Sequence, residues 1–104
     1  MIIVALTTDL MDRSKLSAAL PSVRFARTPA ENADVVIVDL VRGVEQIAEV
    51  RAIVAQARIV AYGSHVDDAS LAAARAAGAD VVLPRSKFFH DPAAACQARS
   101  GDKR

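Results

Sequence analysis

A chain of 104 residues and 11.0 kDa is long enough for one compact core and too short for two. Its 53% apolar content, with 4 Gly and 4 Pro, excludes disorder, collagen-like repeats and linker composition. A net charge of +1 with both signs interspersed offers no basic stripe to neutralise several phosphates, which argues against nucleic acid as a partner of this domain. No apolar run reaches the ~18 residues of a membrane span, and the N-terminus lacks the charged, apolar and small-residue regions of a signal peptide. No membrane partner is therefore expected, and the expected compartment is the cytoplasm. Cys96 is the only cysteine, so an internal disulfide is impossible and a cysteine-based metal cage is out of reach. With aromatics at 4% and no Trp, the core must be built from Val, Ile, Leu and Ala.

In chain order, "MIIVAL" (residues 1 to 6) is a continuous run of strand length and reads as a buried strand. A helix follows within residues 7 to 20: Thr8, Asp9 or Asp12 can cap it, Leu16 and Leu20 share a face, and Pro21 ends it. "VRFAR" (residues 23 to 27) alternates apolar with basic, the pattern of an edge strand with one wet face. "TPAENA" has room for one helical turn at most. "DVVIVDL" (residues 34 to 40) has four consecutive branched residues, the mark of a strand covered on both sides. Gly43 opens "GVEQIAEVRAIVAQ", where Ile47, Val50 and Val54 recur at helical spacing while Glu45, Glu49 and Arg51 face water. "ARIVAYG" (residues 57 to 63) is the next strand. Asp67 or Asp68 then caps a helix that Gly78 terminates. "ADVVLP" is the last strand, and Asp91 and Pro92 begin a final short helix whose apolar side carries Cys96.

Strands separated by helices, with no hairpin signal between them, need right-handed crossovers. The expected fold is therefore α/β: a small, doubly wound, parallel five-stranded sheet with the helix between strands 2 and 3 shortened or absent. Ligands of such sheets bind outside the carboxyl ends of the strands, where the strand order reverses. The loops at that edge carry Thr7, Thr8 and Asp9; Asp39, Val41 and Arg42; Gly63, Ser64 and His65; and Arg85, Ser86 and Lys87. One carboxylate at a strand end, with hydroxyls and a cation nearby, is the minimum for a phosphoryl-accepting aspartate. A divalent ion completing such a site needs several oxygen ligands, and only Asp39 and Asp9 could supply carboxylates.

"VVIVDL", "IVAYGS" and above all "AAARAAGADVVLPRSKF" resemble the receiver domain of bacterial response regulators, over most of the chain. The resemblance implies a flavodoxin-like, receiver-like fold over residues 1 to 99 with a short tail at 100 to 104. It places Asp39 at the phosphoacceptor position. The acidic pair that holds Mg²⁺ in receivers falls among Leu6, Thr7 and Thr8, with Asp9 one or two places late. The receiver hydroxyl falls on Gly63, with Ser64 beside it, and the receiver lysine falls on Arg85, leaving Lys87 to serve only through a reshaped loop. The switch aromatic of the fifth strand matches Val82.

These departures imply a degenerate, or pseudo-receiver. It would be a stand-alone protein-interaction and signalling module with no cofactor, Mg²⁺ entering only if the Asp39 site is functional. Two alternatives remain: a working receiver phosphorylated on Asp39, and a module binding a small anion or nucleotide at Ser64, Arg85 and the helix starts. A simpler role for Asp39 is to cap its own loop or pair with Arg85 or Lys87, and for Asp9 to favour a helix N-terminus. Partner contact or self-association is expected through the last strand and last two helices. Phe88, Phe89 and the alanine-rich helix beginning at Leu71 are the candidate interface, because adjacent phenylalanines usually diverge and leave one exposed.

Overall fold

Five strands, β1 (Ile3–Ala5), β2 (Arg24–Phe25), β3 (Val35–Asp39), β4 (Arg58–Gly63) and β5 (Val81–Pro84), form one sheet in the order β2-β1-β3-β4-β5 in a computed structural model that describes residues 1–97. Every pairing is parallel. The chain steps outward from β1 to β2, then returns past β1 to β3, so the order reverses between β1 and β3. That reversal puts the open crevice at the carboxyl ends of these two strands.

Side chains of a strand alternate between faces, and two buried clusters follow that alternation. On one face, Val36, Val38, Ile59 and Ala61 pack against Ile47 and Val50 of α2 (Gln46–Ile53) and Leu71 and Ala74 of α3 (Asp68–Ala76). On the other, Val35, Ile37, Val60 and Tyr62 pack against Leu16 of α1 (Leu10–Ala19), Phe88 of α4 (Arg85–His90) and Cys96 of α5 (Pro92–Cys96). The doubly wound parallel sheet is thus as expected. No helix lies between β2 and β3.

Local chemistry sets the helix ends. Asp9, Asp67 and Asp91 cap α1, α3 and α5 by accepting from the backbone N–H of Asp12, Ser70 and Ala94 at 3.0, 3.1 and 3.1 Å. Gly78, at φ 106°, follows α3 in the left-handed region that only glycine enters freely.

Two expectations need correction. The helix expected from Gly43 begins at Gln46, because a 3₁₀ turn (Leu40–Arg42) continues directly from β3 and Gly43, at φ 109°, ends it. The segment after β5, expected as a loop, is α4, starting at Arg85. The boundary expected at residue 99 and the tail at 100 to 104 lie outside the described residues. Among the described residues no helix is long and apolar enough to cross a membrane.

Candidate functional site

Ala5 lies opposite Ile37 in the β1–β3 register, and the backbone N–H of Leu6 continues the ladder to Ile37 O at 3.0 Å. The next side chains on the α1 side of the sheet are Thr7 and Asp39. Thr7 Oγ1 donates to Asp39 Oδ2 at 3.0 Å, and the Val41 N–H donates to Oδ1 at 3.1 Å. Both carboxylate oxygens therefore have protein donors, and Asp39 is 3% exposed. Thr7 is fixed in turn, since its Oγ1 also accepts from the Asp9 N–H at 3.2 Å. Gln46 pins the same turn from behind, donating to the carbonyls of Asp39 and Gly43 at 3.1 and 2.9 Å. Above Asp39 lies a cleft of about 200 Å³, whose lining includes Asp9, Ser64, Asp67 and Arg85.

A second acid holds the cation of this edge. Asp12, in the first turn of α1, is 0% exposed and takes both arms of the Arg85 guanidinium, Nη1 on Oδ2 at 2.9 Å and Nη2 on Oδ1. Tyr62 Oη donates to the same Oδ2 at 2.8 Å. Burial opposes the charge on Asp12, but Arg85 and Tyr62 outweigh it and hold the carboxyl below its usual value. The Tyr62 phenol is pushed well above its usual value, first by burial and then by the charges of Asp39 and Asp12, against the easing effect of the Thr7 hydroxyl. Arg85 is held firmly charged by Asp12.

Three of the chain's four aromatic residues gather here. Tyr62 and Phe88 stack at 4.8 Å between centroids, and Phe89 meets each edge-on at 5.1 and 4.9 Å. The Arg85 guanidinium lies 5.5 Å from the Tyr62 ring centre and 5.3 Å from that of Phe89.

The structure brings Asp39, Asp9, Ser64 and Arg85 to one cleft and leaves Lys87 out of it. Lys87 is exposed on α4 and lines a separate groove with Leu83, Ser86 and His90, because the helix turns it away from the strand ends. Ser64 is exposed, its Oγ accepting from the Val66 N–H at 3.4 Å as part of the entry to α3. Phe88 and Leu71 are not surface residues: Phe88 fills the core beneath α4 and Leu71 faces the sheet from α3. Phe89 stays half-buried. Asp12 and Tyr62 were missed as site residues. The sequence carried a signal for each: Asp12 stands four before Leu16 on the buried stripe of its helix, and Tyr62 carries a hydroxyl into an otherwise apolar strand. Buried groups of both kinds require partners.

The same geometry tests the anion and metal sites. The starts of α1 and α3 already hold the carboxylates of Asp9 and Asp67, so an added anion would meet negative charge where it needs free N–H groups. Mg²⁺ takes an octahedron of oxygens anchored by carboxylates. Here Thr7 bonds Asp39, and Asp9 is engaged as a cap. Among the described residues no three of His, Cys, Asp and Glu come together as a metal-holding group. This donor set does not fit the ion.

Solved structures share this architecture. A response regulator protein from Burkholderia pseudomallei, crystallised with a phosphorylated aspartic acid, calcium ion and citrate, superposes with a TM-score of 0.76 at 22% identity, over 92% of this chain and 66% of that one. The chain has the receiver fold. A response regulator from Burkholderia multivorans gives a TM-score of 0.63 at 25% identity, over 97% of this chain and all of that one (100%). An orphan response regulator of H. pylori gives 0.68 at 10% identity, over 93% and 97% of the two chains. No protein-family model matches the sequence, and no curated protein does. Within the receiver fold, Asp39 ends the third strand, Thr7 follows the first and Arg85 follows the fifth.

Proposed function

We propose that this chain is a cytoplasmic signalling module on the receiver fold that acts by contact with a protein partner, and that Asp39 is not phosphorylated in the usual Mg²⁺-dependent way. One observation carries the reading: the buried Asp39 carboxylate is bonded through both oxygens to Thr7 and Val41 N–H, while the nearby guanidinium of Arg85 is committed to Asp12. Phosphoryl transfer would need one carboxylate oxygen to form the new P–O bond as the donor's leaving oxygen departs, with cations offsetting the added charge. Both requirements act against contacts already made. The groove beside β5, α4 and α5 and the half-buried Phe89 are the partner surface this reading keeps from the sequence.

The deciding experiment treats the chain with acetyl phosphate or beryllofluoride in the presence of Mg²⁺ and follows its intact mass and fluorine spectrum. No adduct is expected. An adduct that disappears in Asp39→Asn would overturn the reading in favour of a working receiver.

A further inference from the structure

From residue 13 to residue 30 the chain carries no Asp or Glu, while Arg13, Lys15, Arg24 and Arg27 stand within that span. The fold lays the span along one border of the molecule, because it comprises most of α1 and then β2, the outermost strand of the sheet. Lys15 lies over the Phe89 ring at 5.2 Å, toward α4. The three arginines are exposed and gather at β2. Arg24 is in register with Val4 and Phe25 with Ala5, so Arg24 stands on the α2 side of the sheet and Phe25 on the α1 side. Arg13 reaches over the Phe25 ring at 4.7 Å, and Arg27 follows two residues further on.

None of the three is in an ion pair among the described residues. The nearby acids do not answer them. Asp12 holds Arg85, and Asp9 caps α1 through the Asp12 N–H. Glu31 stands in the turn that enters β3, at the amino end of the sheet. Glu49 lines one small cavity with Arg27 and Arg42; set against Arg42, it leaves Arg13, Arg24 and Arg27 in excess. The strand beside them is also open. Ala26 N–H donates inward to Ala5 O at 3.2 Å, and backbone groups alternate in direction along a strand, so those of Phe25 point outward, where no strand follows. Two copies joined at this edge would set the same cations against one another, and like charges facing each other across strands are unfavourable. An extended segment rich in Asp or Glu supplies both the backbone groups and the opposite charge.

We propose that the β2 edge docks an extended acidic segment of a partner protein, which adds to the sheet beside Phe25 and sets its carboxylates against Arg13, Arg24 and Arg27. This surface lies at the opposite border of the sheet from the groove beside β5, and it stands whether or not Asp39 accepts a phosphoryl group.

The test uses the full chain with a fluorescein-labelled peptide of alternating glutamate and threonine, its lysine–threonine counterpart, and the glutamate peptide N-methylated throughout, read by fluorescence anisotropy at low salt. The glutamate peptide is expected to bind at least ~10-fold more tightly than the lysine peptide. Arg24→Gln with Arg27→Gln, both at exposed positions, is expected to weaken it ~10-fold and Arg13→Gln ~3-fold, with thermal melts matching the unsubstituted chain. N-methylation is expected to cost ~10-fold, because it removes the backbone donors that an added strand needs. Equal binding of the glutamate and lysine peptides, or binding untouched by the arginine substitutions, overturns the docking surface. Binding untouched by N-methylation overturns strand addition. A single-stranded oligonucleotide of equal charge that competes as well as unlabelled glutamate peptide would assign the edge to a polyanion and overturn the protein occupant. A dimer in sedimentation that the glutamate peptide dissociates would assign the edge to a second copy and overturn the acidic occupant.

Discussion

Asp12 and Asp39 stand at the same edge of the same sheet, 0% and 3% exposed, and the protein treats them in opposite ways. Asp12 has a guanidinium on both oxygens and a phenol on one of them. Asp39 has a hydroxyl on one oxygen and a backbone N–H on the other, with no cation in contact among the described residues. The resemblance to receivers implies a cation after the fifth strand beside the phosphoacceptor; here the Arg85 guanidinium pairs with an acid on α1 instead. Of the two buried carboxylates, Asp12 has the stronger partner. Arg85 is therefore better understood as the tie between α1 and α4 than as a phosphate ligand.

The largest expected effect follows from the difference in exposure within that ion pair. The Arg85 side chain is 41% exposed and Asp12 wholly buried, so the two partners do not suffer equally when left alone. Arg85→Ala leaves a buried carboxylate with only the Tyr62 hydroxyl and is expected to cost about 3 kcal/mol in urea unfolding. Asp12→Ala frees a guanidinium that can turn to water and leaves one buried hydroxyl unpaired, at a cost of about 1–2 kcal/mol. The reverse order would mean that Arg85, not Asp12, is the buried charge. It would also make the contrast with Asp39 meaningless.

The sheet was legible because its signal is redundant: "VVIVD", "IVAYG" and "ADVVLP" each combine branched residues with strand length, and Asp9, Asp67 and Asp91 announce three helices by capping them. The position of Asp39 followed from topology alone. The helix α4 was not legible, since six residues beginning after Pro84 have no side-chain cap, and their order comes from Phe88 stacking on Tyr62, a contact between distant parts of the chain. The Asp12–Arg85 pair spans 73 positions, and local pattern cannot reveal a partner that far away. What could be read was the anomaly, an acid in line with Leu16 and Leu20.

A middle-sized effect comes from placing a second acid beside Asp39. Thr7→Asp replaces the donor on Asp39 Oδ2 by a second carboxylate, so two like charges meet in a buried pocket. A loss of about 1–3 kcal/mol is expected in metal-free buffer. Added Mg²⁺ should recover part of it, since an ion that binds only the folded chain stabilises it by mass action. The unsubstituted chain should show no such Mg²⁺ response in the same thermal melts. A Thr7→Asp chain as stable as the original without metal would show that Asp39 never needed the Thr7 hydroxyl.

The smallest expected effect separates the contributions to Asp12 itself. Tyr62→Phe keeps the ring that stacks on Phe88 and removes only the hydroxyl donated to Asp12, for about 1–2 kcal/mol. The change should also appear in the acid limb of stability. The folded carboxyl of Asp12 lies below its ordinary value of 3.8, so its contribution is complete above that pH and is lost as pH falls through the folded value. Removing one donor moves the folded value back toward the ordinary one, so the variant has less to lose, and its stability curve should fall less steeply below pH 3.8. An acid limb unchanged in Tyr62→Phe would assign the whole depression to Arg85, and the phenol would then be a core residue that happens to have found a partner.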